Sequence, residues 1–137
     1  MSLVLDASMS ITWLFEDEHT ESALAILRRV AEEGAVVPSL WRLEVANALR
    51  AAVRRRRCDE PFVDRSLPRL DRLPIEIDAE TDAHAWGMTR AVSRADDLTL
   101  YDAAYLELAL RRNLPLASND TDLIDAARRR GLEVLGT

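Results

Sequence analysis

The side chains best suited to chemistry in this sequence are four acids that stand in widely separated segments: Asp6, Glu44, Asp102 and Asp120. Like charges gathered in one place raise one another's pKa and oppose folding, and bound divalent cations relieve that repulsion. Mg²⁺ and Mn²⁺ prefer carboxylate and water oxygens as ligands. Two such ions about 3.5–4 Å apart can activate a water and hold the leaving oxygen of a phosphodiester. The four acids, if they meet, therefore predict metal-dependent cleavage of phosphodiester bonds.

Taken one at a time, the same acids also have structural interpretations. Asp102 and Asp120 stand at predicted helix starts, where a negative charge complements the helix dipole by about 0.3–1 kcal/mol. Glu44 suits a solvated helix face equally well. Asp6 is different, because an acid that closes a buried strand loses hydration unless another group compensates it. The functional interpretation therefore depends on the convergence of all four.

Composition excludes several other chemistries. The chain has 137 residues and a net charge of −6, and all 18 basic residues are Arg. Without Lys there is neither a P-loop nor Schiff-base catalysis. Cys58 is the only cysteine, which excludes an internal disulfide and a thiolate zinc site, and His19 and His84 lack metal-ligand spacing. The acidic balance disfavours binding of long duplex DNA, whose affinity depends on phosphate neutralisation.

Short apolar runs alternate with helical patterns along the chain. Alternation of this kind predicts βαβ units and a parallel sheet in one α/β domain over residues 1–137. The predicted strands are 2–5, 35–37, 75–77, 114–117 and 134–135. A first predicted helix carries residues 11–15, and further helices are predicted at 18–33, 39–57, 79–94, 100–112 and 120–130. Ser39 is expected to cap helix 39–57, and Asp78 to cap helix 79–94, in which Met88 should face inward. Another helical stretch starts at Pro61 and is expected to be interrupted at Pro68.

These elements place the four acids at one edge of the sheet. Ligands of open parallel sheets bind beyond the carboxyl ends of the strands. Asp6 ends the first strand, and Glu44 lies in the first turns of the helix after the second strand. Asp102 begins the helix before the fourth strand, and Asp120 follows that strand. The sequence therefore predicts a single acidic cleft.

Four segments in this order resemble the PIN-domain family, in particular the VapC-type toxins of bacterial toxin–antitoxin pairs. The resemblance covers nearly the whole chain. Its motifs are LVLDAS at 3–8, PSLW at 38–41 followed by EVANAL at 44–49, YDAAY at 101–105 and LASNDTDL at 116–123.

The resemblance implies a three-layer α/β/α sandwich with a short parallel central sheet, and a Mg²⁺- or Mn²⁺-dependent endoribonuclease. Within it, Asp6 and Asp102 ligate a first metal, and Asp120 acts mainly on a second metal. Glu44 binds metal or its water and helps to orient the nucleophile. The implied supporting residues are Ser8, Asn47 and Ser118, which assist by hydrogen bonding, and Asp97 and Asp122, of which Asp122 competes with Asp120 as the fourth acid.

The resemblance also implies partners. These are an RNA substrate, a small antitoxin protein whose tail covers the acidic pocket, and a second copy of the chain, with Leu14 and Phe15 as candidate dimer contacts. The basic clusters 54–57 (Arg54, Arg55, Arg56 and Arg57) and 128–130 are candidates for RNA phosphates or, alternatively, solvated helix ends. The tryptophans Trp13, Trp41 and Trp86 are expected in the core or an interface rather than stacked on bases.

Two other functions remain open at this point. One is a binding module that keeps the fold but does not turn over substrate. The other is a metal-dependent DNA nuclease or phosphatase that uses the same carboxylates. No apolar run reaches the ~18 residues of a membrane-spanning helix, and Asp6 interrupts the apolar segment 3–15, unlike a signal peptide. A cytoplasmic location is therefore expected.

Overall fold

The computed structural model describes residues 2–136 and contains the predicted central sheet. Its five strands run parallel in the order β3-β2-β1-β4-β5. Both faces of the three inner strands are buried, which explains why they read as continuous apolar runs. The strands are β1 Val4–Leu5, β2 Ala35–Val37, β3 Ile75–Ile77, β4 Leu116–Ala117 and β5 Val134–Leu135.

The strand order creates a switch point beside the central strand. From β1 the chain adds β2 and β3 on one side, and it then crosses to add β4 and β5 on the other. β1 and β4 are therefore neighbours, with Val4 paired to Leu116 and Leu5 to Ala117. Connections that leave in opposite directions open a crevice at the carboxyl ends of two such strands. The residues that follow Leu5 and Ala117 line this crevice.

Eight α-helices and one short 3₁₀ helix (Glu16–Glu18) are present in the described part of the chain, and they flank the sheet to give the expected three-layer α/β/α sandwich. α1 packs against α2 and α3, whereas α7 packs against α6 and α8. Within residues 2–136, no helix has both the length and the apolar character needed to cross a bilayer. The helices are α1 Ala7–Leu14, α2 Glu21–Glu33, α3 Trp41–Arg54, α4 Glu60–Asp71, α5 Thr81–Ala85, α6 Met88–Asp96, α7 Leu100–Arg112 and α8 Thr121–Arg129.

Two helix boundaries differ from the sequence prediction, because neither Ser39 nor Asp78 acts as the expected N-cap. α3 begins at Trp41 rather than after Ser39, whose backbone N–H donates to Oγ1 of Thr81 at 3.1 Å. Asp78 does not cap a helix, because its buried carboxylate accepts hydrogen bonds from arginines. The prediction that Pro68 interrupts its helix was also wrong, since α4 continues through it. The carbonyl that Pro68 leaves without a donor belongs to exposed Asp64, where solvent can satisfy it.

The predicted helix 79–94 is two helices separated at Trp86 and Gly87. Gly87 adopts φ −105° and ψ −103°, which ends the helical path, and glycine costs a helix interior about 1 kcal/mol relative to alanine. As a result Met88 is 58% exposed and does not face inward as predicted. Trp86 is 88% exposed, so of its two expected places, the core or an interface, the core is excluded. Trp13 and Trp41, in contrast, are core residues as predicted.

Leu14 and Phe15, for which the sequence leaves open a dimer contact or the monomer core, are core residues, because both side chains are buried within the monomer. The ring of Phe15 stacks on Phe62 with centroids 5.0 Å apart. The guanidinium of Arg57 covers the same ring at 3.9 Å and also binds the carboxylates of Asp17 and Glu18. These contacts use the first helix and its neighbours to close the core rather than to join two chains.

A buried ion-pair network fixes α7 to the outer strand. The Asp78 carboxylate, fully buried after β3, accepts hydrogen bonds from Arg111 at 2.7 Å and Arg112 at 3.0 Å. Arg111 also binds the buried Glu107 at 2.9 Å. Burial by itself raises the pKa of Asp78, but the two arginines outweigh it and lower the pKa to about 2. The network sets the position of α7, which carries Asp102.

We expect Asp78→Asn to lower the free energy of unfolding by about 2 kcal/mol at pH 7, because it removes the buried carboxylate whose pKa the two arginines hold at about 2. The depressed pKa means that this contribution is complete above the unfolded pKa near 4. It is lost as the pH falls towards 2. Urea denaturation of both proteins across pH 2–7 measures the difference.

The matched control is Asp71→Asn, which removes an exposed ion pair with Arg42 at 3.0 Å. An exposed pair of this kind contributes about 0–1 kcal/mol. Equal losses in the two variants, or a loss at Asp78 that does not shrink in acid, would contradict the structural role of the network.

Candidate active site

Asp6 lies at the centre of the crevice beside β1 and β4. Its backbone N–H donates to the carbonyl of Ala117 at 2.9 Å, which fixes the residue at the strand end. The side chain is only 4% exposed, and its Oδ2 accepts hydrogen bonds from Oγ of Ser8 at 2.6 Å and Ser118 at 2.7 Å. Burial raises the pKa of Asp6, and the two hydroxyl donors oppose that rise only in part. The fold thus holds a buried acid in place with neutral donors.

The same two hydroxyls also position the loop after β4. Ser118 Oγ accepts the backbone N–H of Asp120 at 2.9 Å, and Ser8 Oγ accepts that of Asn119 at 2.9 Å. Each hydroxyl therefore donates to the Asp6 carboxylate and accepts from the loop, a pairing that only a group with both capacities can make. Asp120 then caps α8 by accepting the N–H of Leu123 on Oδ1 at 3.0 Å.

Glu44 enters the crevice from α3 and meets a buried tyrosine. The Tyr105 hydroxyl donates to Oε1 of Glu44 at 2.5 Å. Burial raises the pKa of Glu44, the tyrosine hydrogen bond lowers it, and the charges of Asp6 and Asp120 raise it further. Burial and the negative charges of Asp6 and Glu44 also raise the pKa of Tyr105, so its hydroxyl stays protonated as a donor.

Tyr105 is the member of this cluster that sequence reasoning missed, because its apolar helix stripe predicts a core residue. It is fully buried, as that stripe requires, yet its hydroxyl reaches the acidic cleft. The available signal was its position three residues after Asp102, since residues three apart share one face of a helix.

Asp102 shows most clearly that the four acids share one electrostatic environment. Its pKa is raised to about 7, first by burial and then by the charges of Asp120, Asp6, Glu44 and Asp122. The carboxylates therefore act on one another from four separated segments, as the sequence predicts. No arginine is among the main charges that shift the pKa of Asp6, Glu44 or Asp102.

The remaining predicted residues occupy different positions. Asp120 acts on three of the acids, whereas exposed Asp122 contributes only to Asp102 among the main interactions. Asn47 is exposed on α3 and borders a groove beside Glu44. Asp97 is an exposed C-cap of α6 with φ +53° and is not among the main charges acting on the site.

The donor set fits a hard divalent cation, because every polar group named in the cleft offers oxygen. Across residues 2–136, however, no three His, Cys, Asp or Glu side chains stand close enough to form a ready-made metal site. Mg²⁺ usually keeps several waters and binds through one or two carboxylates, so a pair of these acids is sufficient. The chemistry of the cleft therefore fits such an ion held mainly through water.

The basic clusters are less available than the sequence suggests. Arg57 is engaged with Asp17, Glu18 and the ring of Phe15. Arg130 binds Asp96 at 2.6 Å. Cys58, beside the first cluster, has a raised pKa because of its partial burial, so it is not an activated thiol.

Comparison with known proteins agrees with this fold. The chain is similar to PAE2754 from Pyrobaculum aerophilum, with 23% identity, a TM-score of 0.69, and coverage of 98% of this chain and 92% of that one. It is similar to VapBC2 from Rickettsia felis, solved with a DNA fragment from its promoter, at 19% identity and TM-score 0.65, covering 100% and 99%. It is also similar to FitAcB from Neisseria gonorrhoeae at 17% identity and TM-score 0.66, covering 98% and 96%.

No curated protein matches the chain. The family model for the PIN domain does match it, over residues 3–129. This range contains the candidate acids and serines of all four segments, from Asp6 and Ser8 to Ser118 and Asp120. The chain belongs to the PIN domain family.

Proposed function

We propose that this protein is a divalent-metal-dependent endoribonuclease and the toxin of a type II toxin–antitoxin pair. The observation that carries the proposal is the position of Asp6, Glu44 and Asp102 in one crevice, where burial and the charge of Asp120 raise the pKa of each. PIN domains are generally nucleases, which supports hydrolysis of a nucleic acid. The absence of Lys and the unactivated thiol leave carboxylate chemistry as the catalytic means.

Each residue of the site would have a separate role in metal binding, in orienting the water or in positioning another side chain. Asp6 and Asp102 would hold Mg²⁺ or Mn²⁺ together with water, and Asp120 would hold a second ion. Such an ion, when bound, lowers the pKa of a water and neutralises the phosphodiester charge. Glu44, fixed by the Tyr105 hydroxyl, accepts a hydrogen bond from the attacking water and orients it. Ser8 and Ser118 keep the Asp6 carboxylate in one orientation.

The partners are part of the same proposal. The toxin–antitoxin complexes among the structural neighbours support a small antitoxin protein as the partner of this chain. The negative crevice is suited to an arginine from an antitoxin tail, because within residues 2–136 no arginine is among the main charges that act on Asp6, Glu44 or Asp102. We also propose a homodimer, through a surface other than Leu14 and Phe15, and a cytoplasmic location.

We expect Asp6→Asn to abolish cleavage of RNA, by at least about 100-fold, because it removes a metal-binding charge at the centre of the crevice. The free energy of unfolding should be unchanged or higher, since the substitution also removes repulsion. The measurement is cleavage of labelled RNA with Mg²⁺, Mn²⁺ or EDTA, together with calorimetric titration by Mn²⁺.

The matched control is Asp125→Asn, an exposed acid on α8 outside the crevice, which should cleave like the unmodified protein. Full activity of Asp6→Asn, or activity in EDTA, contradicts the proposed mechanism. Mn²⁺ that fails to bind near millimolar concentration favours a silent binding module instead. Cleavage of DNA or simple phosphate esters in preference to RNA would assign the same carboxylates to another substrate.

We expect Asp102→Asn to stabilise the metal-free protein at pH 8 by about 2 kcal/mol. A folded pKa near 7 against an unfolded value near 4 means that the folded state binds more protons between these values. Stability therefore falls as the pH rises from 4 to 7. The figure is about half of the full shift, because solvent screens this half-buried side chain. Chemical denaturation in EDTA from pH 4 to pH 8 measures it.

The stabilisation should disappear below pH 4, where Asp102 is protonated in both states. Addition of Mn²⁺ at pH 8 should raise the stability of the unmodified protein more than that of the variant. If the difference in stability between the two proteins does not change with pH, the repulsion at Asp102 is contradicted. If Mn²⁺ stabilises both proteins equally, the role of Asp102 in metal binding is contradicted. Asp125→Asn again serves as the control.

A further inference from the structure

Two aromatic side chains are exposed in a molecule that buries most of its large apolar groups. Trp86 is 88% exposed and Tyr101 62% exposed, whereas Trp13 and Trp41 are in the core. Trp86 occupies the break between α5 and α6, and Tyr101 lies in the first turn of α7. An exposed tryptophan with no packing role in the monomer requires another explanation, because its burial elsewhere would be strongly favourable.

The two rings border one groove that is continuous with the acidic site. Trp86 and Tyr101 line this groove together with Leu40, Ser39 and Asp82. Tyr101 and Leu40 also line the adjoining groove, which contains Glu44 and Asn47. Tyr101 directly precedes Asp102 in the chain. A ligand held against both rings therefore extends from Trp86 to the carboxylates.

The backbone beneath Trp86 is fixed by neighbouring groups. The N–H of Trp86 and that of Gly87 both donate to the carbonyl of His84, the latter at 3.1 Å. The Trp86 carbonyl accepts a hydrogen bond from the guanidinium of Arg90 at 3.5 Å. Arg90 and Arg94 are both exposed and lie one turn apart on the same face of α6. One cation, Arg90, therefore contacts the backbone of Trp86, and a second, Arg94, follows it one turn later on α6.

This combination suits a nucleotide better than an apolar protein surface. Aromatic faces stack on unpaired bases, arginines bind phosphates, and Ser39 and Asp82 supply polar atoms for a base edge. The cores of protein interfaces, in contrast, are depleted of charged residues. Here the charged Asp82 lines the groove itself, and Arg90 contacts the backbone carbonyl of Trp86.

We propose that Trp86 and Tyr101 form a stacking platform that binds an unpaired base of a single-stranded RNA segment next to the carboxylate site. The inference rests on the proposed function, since it identifies the substrate class as RNA with unstacked bases beside the cleavage point. The two residues determine which RNA segments are positioned for cleavage and do not take part in the bond-breaking step.

The experiment uses tryptophan fluorescence of the full chain in EDTA, so that no cleavage occurs. A short single-stranded RNA of mixed sequence should quench the emission of exposed Trp86, whereas an abasic strand of equal length should not. Trp86→Ala and Tyr101→Ala should each weaken binding of labelled RNA by about 10-fold, as expected for loss of one stacked base. Trp86→Phe should lose the quenching and keep affinity within about 3-fold.

The matched control is Met88→Ala, an exposed apolar residue of the same region that lines neither groove. Equal quenching by the abasic strand, or unchanged affinity in Trp86→Ala, overturns the platform. If Trp86→Ala instead dissociates an assembly in sedimentation and leaves RNA affinity unchanged, the face is a contact between copies and the inference is wrong. RNA stacking without cleavage in Mn²⁺ contradicts the nuclease and leaves the platform supported.

Discussion

The buried carboxylate of Asp6 is the constraint on which the site depends. An acid that is 4% exposed loses most of its hydration, and here neutral donors replace it, namely two hydroxyls and the backbone N–H of Ala7. Those hydroxyls come from the start of α1 and the loop after β4, segments separated by more than a hundred residues. Satisfying one carboxylate therefore also joins the two strands whose ends define the crevice.

The acids that repel one another and the ion pairs that stabilise the fold lie at opposite ends of α7. Burial and the charges of neighbouring acids raise the pKa values of Asp6, Glu44 and Asp102 in the crevice, the last to about 7. At the carboxyl end of α7, Arg111 and Arg112 bind Asp78 and lower its pKa to about 2. The arginine network stabilises the helix that carries Asp102, and it thereby offsets the repulsion at the other end of the same helix. Cations would then bind in the crevice next to a helix whose position the arginine network already fixes.

In our proposal, the groove lined by Trp86 and Tyr101 selects which RNA segment reaches the carboxylates. Carboxylates that act through bound ions recognise a phosphodiester in any nucleic acid, so selection of a substrate needs groups that contact bases or shape. The break at Gly87 matters for this reason, because a continuous helix would place Trp86 differently. Arg54–Arg57, the more obvious basic segment, is partly occupied by contacts that close the core around Phe15.

The sequence by itself determined all five strands, the parallel sheet and the acidic cleft, because short apolar runs and acids at strand ends are local signals. It also identified Ser8 and Ser118 through the motif that each belongs to. Side-chain partners across long sequence distances were decided only by the tertiary structure. Thus Asp78 binds arginines instead of capping a helix, Tyr105 reaches Glu44 from the core, and Leu14 and Phe15 are buried within the monomer. Trp86 is exposed for the same reason, since a residue's burial depends on which elements pack beside it and not on its own periodicity.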